Sequence, residues 1–295
     1  MSEADAEKLS PGAVPGRSRT AGDDRTAPSD PAAGKAREED RAAAEPAGEA
    51  ASERPRRNFY GRRAGKRLRP SQKRYLADLA HLAPPGVGFE ENPGRRPVDP
   101  ARWFGDDRPV WLEIGFGGGE HMVHQALRNP GVGIVGCEPF INGVAMLIGK
   151  IRTAGVGNVR VWPGDVRDLF DVLPDASIDR AFLLYPDPWP KRRHHKRRFV
   201  NPEFLDPLAR VLKPGAVFRV ATDIGDYVRQ TLEEVWIRRD DFDWLAEGPE
   251  DWRLPWPDWI STRYERKALR EGRTPHYLTF VRRGAKDVKE RADET

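Results

Sequence analysis

Four acidic residues, Glu113, Glu138, Asp165 and Asp187, stand at or beside the ends of successive short apolar runs. If those runs are parallel strands, the four carboxylates share one edge of a sheet and line one cleft. Carboxylates there accept hydrogen bonds from a ribose diol or an amino group, and one beside a reacting atom stabilises developing positive charge. Directly behind Asp187, in LLYPDPWPKRRHHKRR, come Lys191, Arg192, Arg193, Lys196, Arg197 and Arg198, with His194 and His195 between them. Basic runs are often only solvated faces or localisation signals. This one follows a strand end that carries a carboxylate and a tryptophan, a combination suited to chemistry on a nucleic acid base.

The elements that must position these groups read as an alternation of strands and helices. Ile178, Ala181, Phe182, Leu183 and Leu184 form a buried strand, stopped at Pro186-Asp187-Pro188 because two prolines remove two ladder donors. Strands are expected at 110–114, 133–138, 158–162, 216–221 and 277–281. Helices are expected after the glycine turn, over 141–152, from Asn201-Pro202 (N-cap and first-turn proline) to Val211, and over 227–237. Lys213-Pro214-Gly215 stops the third of these. Such alternation means a mainly parallel sheet with helices on both faces. The Trp-rich segment 236–259 shows no period and reads as irregular packed surface. A helix N-capped by Ser71 is expected to carry Tyr75, Leu76 and Leu79.

Composition sets the outer limits. The chain has 295 residues and a single cysteine, Cys137, which excludes a disulfide framework within it. No run approaches the length of an apolar membrane span, and the N-terminus lacks an apolar signal core, so a cytoplasmic protein is expected. Residues 1–54 carry a net charge of −4 within a total of +4, which leaves the remainder distinctly basic, as a polyanionic partner requires. Residues 1–55, poor in large apolar side chains, read as a disordered tail. Residues 56–104 read as a basic lead-in and helix, 105–284 as the folded domain and 285–295 as a flexible C-terminal tail. Arg56 to Arg74 holds nine Lys/Arg, no acid and the aromatic pair Phe59-Tyr60, a composition that suits RNA contact.

The turn Gly115-Phe116-Gly117-Gly118-Gly119-Glu120 lets backbone approach a ligand closely, with Gly115 and Gly117 as candidate cofactor contacts. It is not the dinucleotide fingerprint, which would need glycine at Glu120. Clustered carboxylates repel phosphates but tolerate a cationic, phosphate-free nucleoside such as S-adenosylmethionine. Glu138 then accepts from the ribose hydroxyls and Asp165 from the adenine amino group. The alternative, that such acids merely cap the next helix, is reasonable for Asp165 and poor for Glu113, which lies inside a strand.

LEIGFGGGE, GCEPF, the Asp165 turn, YPDPWPKRRHHKRR, ATDIGDY and TRYERKALREG together resemble the tRNA (guanine-N7-)-methyltransferase family, over about 105–283. The resemblance implies a class I methyltransferase, Rossmann-like fold: a seven-stranded, mostly parallel sheet, helices on both faces, last strand antiparallel. It implies S-adenosylmethionine held by Glu113, Glu138, Asp165 and Asp187, with Lys191, Asp223, Thr262, Arg263, Tyr264 and Glu265 on the substrate side. It also implies tRNA as partner and guanosine 46 of the variable loop as target. Guanine N7 already carries a lone pair, so no obligate base, triad or metal is expected; the histidines show no zinc-ligand spacing with Cys137. Asp187 is then the catalytic carboxylate, facing charge that moves from sulfur to the guanine ring. Arg192, Arg193, Lys196, Arg197 and Arg198 are expected to hold RNA phosphates. Two other readings stay open: a S-adenosylmethionine enzyme acting on another RNA or a small molecule, and a non-catalytic RNA-binding protein on the same scaffold.

Overall fold

The computed structural model describes residues 57–284, so the readings of 1–55 and 285–295 lie outside the described residues. In chain order the elements are α1 (Pro70–Leu76), α2 (Leu79–Leu82), β1 (Val110–Ile114), α3 (Glu120–Arg128), β2 (Gly133–Cys137), α4 (Ile141–Ala154), β3 (Val159–Trp162) and α5 (Val166–Phe170). Then follow β4 (Ile178–Leu184), α6 (Pro202–Val211), β5 (Leu212–Thr222), α7 (Gly225–Ile237), β6 (Phe242–Trp244), α8 (Glu250–Arg253), α9 (Arg263–Arg270) and β7 (His276–Arg282). Short 3-10 turns cover Pro100–Trp103 and Arg192–Arg197.

The seven strands pair in the order β3-β2-β1-β4-β5-β7-β6, with β7 antiparallel to both of its neighbours and the other pairs parallel. The chain leaves β1 outward through β2 and β3, then returns to place β4 on the other side of β1. The strand order therefore reverses between β1 and β4, where the loops at the carboxyl ends part and leave a crevice. Apart from Glu113 in β1 and Asp179 and Arg180 at the start of β4, both central strands are apolar, because helices cover both faces. Leu112 and Ile114 of β1 join one core with residues of α5, α6 and α7, while Trp111 joins another with α3 and α4. This alternation decides where Glu113 points, since it shares the face of Trp111.

Three expectations are corrected. The first helix begins at Pro70, because proline fills its first position, and the Gln72 side chain accepts from the Arg69 amide at 3.0 Å; Ser71 lies inside the helix. Asn201 occupies the N-cap of α6, but its side-chain amide donates to the Arg198 carbonyl at 2.5 Å instead of capping. Part of the Trp-rich segment is regular: β6 pairs with β7 through Phe242–Arg282, Asp243–Val281 and Trp244–Phe280, and α8 follows. Residues 213–216 bulge out of the β4–β5 ladder, whose register jumps from Leu212 to Val217, so Pro214 donates nothing to the sheet there.

Candidate active site

A cavity of about 660 Å³ opens at the reversal point. Gly115 and Gly117 from the turn after β1, Glu138 after β2, Asp165 after β3, and Tyr185 and Asp187 after β4 all line it. Gly117 and Gly119 have φ of 56° and 74°, in the left-handed region that glycine enters without steric cost. A Cβ on Gly115 would meet nothing within 4 Å, so its bare α-carbon leaves room on the cavity side.

Glu138 is built into the floor. Its two carboxylate oxygens accept from the Gly117 amide at 2.8 Å and the Phe140 amide at 2.9 Å, tying the turns after β1 and β2 together. Burial raises its pKa, and the two backbone donors pull it back. Asp165 caps α5 through the Arg167 amide at 2.9 Å and also pairs with the Arg167 guanidinium, Nη2 at 2.6 Å. The capping reading is thus realised, and the carboxylate reaches the cavity as well. Asp187 faces the open side, where surrounding protein raises its pKa and the nearby Arg62 lowers it. The turn that presents it is strained: Tyr185 and Trp189 have φ of 51° and 41°, each costing about 1–3 kcal/mol for a side chain with Cβ. The Tyr185 amide, donating to the Ala221 carbonyl at 2.7 Å, helps hold that conformation.

Glu113 does not reach the cavity. It is 2% exposed, on the face of Trp111, and accepts from His121 Nδ1 at 2.7 Å. Gln125 Nε2 lies 3.2 Å from the other ring nitrogen of His121, and the Trp259 ring packs tilted against it, with ring centres 5.4 Å apart. A buried carboxylate needs such a partner, and the pleat supplies it under α3 rather than at the sheet edge.

The TRYE segment folds over the glycine turn. Arg263 pairs with Glu120 at 2.6 Å and lies so close to Gly118 that a Cβ there would stand 1.6 Å from its guanidinium. The Tyr264 ring covers Gly117, where a Cβ would stand at 2.8 Å, and it lines the cavity with Lys267. Thr262 caps α9, accepting from the Glu265 amide at 3.2 Å. Glu265 is 3% exposed and accepts from the Trp259 indole at 3.0 Å and from the Tyr277 hydroxyl, so it faces inward. Asp223 pairs with Arg273.

The basic run divides. Lys191, Arg192, Arg193 and Lys196 are exposed. Arg197 is half-buried in the cavity wall, its guanidinium 4.8 Å from the Tyr60 ring centre and 4.9 Å from that of Trp189. Arg198 is 1% exposed, which contradicts a phosphate-holding role. It donates to the Pro188 carbonyl at 2.8 Å, Gln230 Oε1 at 2.9 Å and Asp226 Oδ2 at 2.8 Å, pinning the turn that carries Asp187 onto α7. Sequence reasoning missed Asn58 to Arg62 and Lys267, which also line the cavity. The Phe59-Tyr60 pair was a signal, assigned to RNA because charge dominated the stretch. Among the described residues no group of His, Cys, Asp or Glu is placed to hold a metal ion, and no helix is long and apolar enough to cross a membrane.

A family model described as "Putative methyltransferase" matches residues 107–278. A tRNA (guanine-N(7)-)-methyltransferase of Roseobacter denitrificans is 73% identical over 230 residues, covering 78% of this chain and 97% of that protein. The protein of the same name from Ruegeria pomeroyi is 72% identical over 78% of this chain and 96% of its own length. That from Rhodospirillum rubrum is 50% identical over 76% of this chain and 88% of its own. The chain belongs to the tRNA (guanine-N7-)-methyltransferase family. The solved structure of an rRNA methylase from Streptococcus thermophilus matches with a TM-score of 0.41 at 11% identity, over 61% of this chain and 89% of that one.

Proposed function

We propose that the protein transfers the methyl group of S-adenosylmethionine to N7 of a guanosine in tRNA, at position 46 of the variable loop. The observation that carries this reading is the juxtaposition, across one cavity, of the Gly115–Glu138 floor and Asp187, with the exposed cations Lys191, Arg192, Arg193 and Lys196 beginning four residues beyond Asp187. The residues fit a phosphate-free nucleoside cation: three carboxylates line the cavity, and Gly115 leaves the room a side chain would take. Glu138 keeps lone pairs for a ribose diol after accepting its two backbone donors. Asp165, held by Arg167, would accept from the adenine amino group.

When bound, S-adenosylmethionine would supply an electrophilic methyl group for N7, with the sulfur as the leaving group that keeps the bonding electron pair. The chain's own residues position and stabilise. Tyr264 and the strained 185–189 turn both form cavity wall, which would restrict how the base approaches the methyl group. In its anionic form Asp187 would stabilise the positive charge that arrives on the guanine ring. No proton has to be removed first, so none of the described acids is required as a base. N7 lies in the deep, narrow groove of A-form RNA, hence an irregular junction such as the variable loop is the accessible target. Incubation with labelled S-adenosylmethionine and total tRNA, then nucleoside digestion, tests the reading. N7-methylguanosine is the expected labelled product, and a different labelled nucleoside would overturn it.

A further inference from the structure

The stretch 57–66, whose charge suggests RNA contact, lies on the protein as a strap across the cavity mouth. Arg57 is fastened to Asp171, the C-cap of α5, at 2.6 Å and to Asp168 within α5 at 3.3 Å. The Asn58 carbonyl accepts from Arg167, the same guanidinium that holds Asp165, at 2.9 Å. At the other end the Arg63 carbonyl accepts from the Ile141 amide at 3.0 Å. Asn142 clamps the chain twice, accepting from the Gly65 amide and donating to the Lys66 carbonyl, both at 2.8 Å. Gly65 must be glycine for this fit, since a Cβ would stand 2.7 Å from the Phe140 ring. Between these anchors Asn58, Phe59, Tyr60, Gly61 and Arg62 form cavity wall.

Midway, the strap is joined to the loop after Asp187. The rings of Tyr60 and Trp189 meet edge to face at 6.5 Å, and the Arg197 guanidinium lies within 4.9 Å of both ring centres. Arg197 Nε is buried without an acceptor, so the two rings are what hold this side chain. Cation–π contact of this kind holds best when partly desolvated. The two most cationic segments of the described chain are therefore linked at one point above the cavity: the strap with Arg62, Arg63 and Lys66, and the loop with Arg192, Arg193 and Lys196.

We propose that residues 57–66 are a clasp over the cofactor, latched by Tyr60 to Trp189 and Arg197, and that tRNA spanning both cationic segments holds it shut. The clasp must open for S-adenosylhomocysteine to leave after each transfer, so the latch sets how fast product is exchanged and tRNA slows that exchange. This rests on the methyltransferase reading above, but its first test needs no tRNA.

The experiment measures dissociation of S-adenosylhomocysteine from the full chain by stopped-flow displacement, for wild type, Tyr60→Phe and Tyr60→Ala, with and without tRNA. Tyr60→Ala removes one ring of the latch and is expected to speed dissociation about tenfold, equivalent to about 1.4 kcal/mol. Tyr60→Phe, which keeps the ring, is expected to match wild type. Saturating tRNA is expected to slow release from wild type and Tyr60→Phe but not from Tyr60→Ala. Wild-type dissociation from Tyr60→Ala without tRNA would overturn the clasp, and equal slowing of all three proteins by tRNA would overturn its latch. Failure of the wild-type chain to bind S-adenosylhomocysteine at all would overturn the methyltransferase reading itself, a distinct outcome.

Discussion

Arg198 and its neighbours Arg192 and Arg193 are indistinguishable by charge, yet the structure assigns them opposite work. Arg198→Ala removes a guanidinium 1% exposed, with donors to Pro188, Gln230 and Asp226, and its contact with the Tyr227 ring at 5.2 Å. Deleting one partner of a buried ion pair typically costs about 3–5 kcal/mol. Here Asp226 is 43% exposed and recovers water, which lowers the expected loss to about 2–4 kcal/mol. For a domain of this size each kcal/mol moves Tm by roughly 2–4 °C, so a fall of roughly 5–15 °C is expected. Arg192→Ala and Arg193→Ala are expected to leave Tm within about 2 °C, because surface changes rarely exceed about 0.5 kcal/mol. The second assay is tRNA binding across a salt series. Each exposed arginine lost should reduce the slope of log K against log salt by about one, whereas Arg198→Ala should leave the slope unchanged wherever the protein is folded. An Arg198→Ala protein with wild-type Tm and a slope flattened by about one would refute the buried-pin reasoning.

If Glu138 accepts from the cofactor's ribose as proposed, S-adenosylmethionine binding should depend on pH. Burial raises its pKa, so its neutral form appears at higher pH than in an exposed glutamate; a ligand that donates to the carboxylate binds the charged form. Affinity should therefore fall as pH drops through that raised pKa, and Glu138→Gln should be weaker at neutral pH by about 1–3 kcal/mol with a flatter profile. Titration calorimetry from neutral pH down through the carboxylate range checks this, and a wild-type profile flat across that whole range would count against it. Asp187→Asn keeps the shape but removes the charge proposed to face the methyl group, so single-turnover methylation should fall about a hundredfold even at saturating tRNA. Recovery of the rate with excess tRNA would show that Asp187 only holds substrate.

The sheet was legible because β1, β2 and β4 are apolar runs whose ends carry Gly, Pro or acid, and three of the four expected acids do line the cavity. What was hidden depends on side-chain direction and on distant pairing. Glu113 sits one residue before the strand end, and the pleat turns it toward His121 rather than the cleft. Strand β6 is three residues long and exists through its pairing with β7, so no local period announces it. Glu265, expected on the substrate side, is enclosed by Trp259 and Tyr277, residues on either side of it whose convergence the sequence does not encode locally. The strap is legible as cationic and aromatic, but its course depends on Asp171, Arg167 and Asn142, 76 or more residues away in the chain.

The central claim is methyl transfer to N7 of one guanosine in tRNA. The most direct measurement is single-turnover transfer of labelled methyl from S-adenosylmethionine to two tRNAs that differ at one atom, one with guanosine and one with 7-deazaguanosine at position 46. Stoichiometric labelling of the first and none of the second is the expected result. Equal labelling of both would contradict it, because the second offers no N7 at that position.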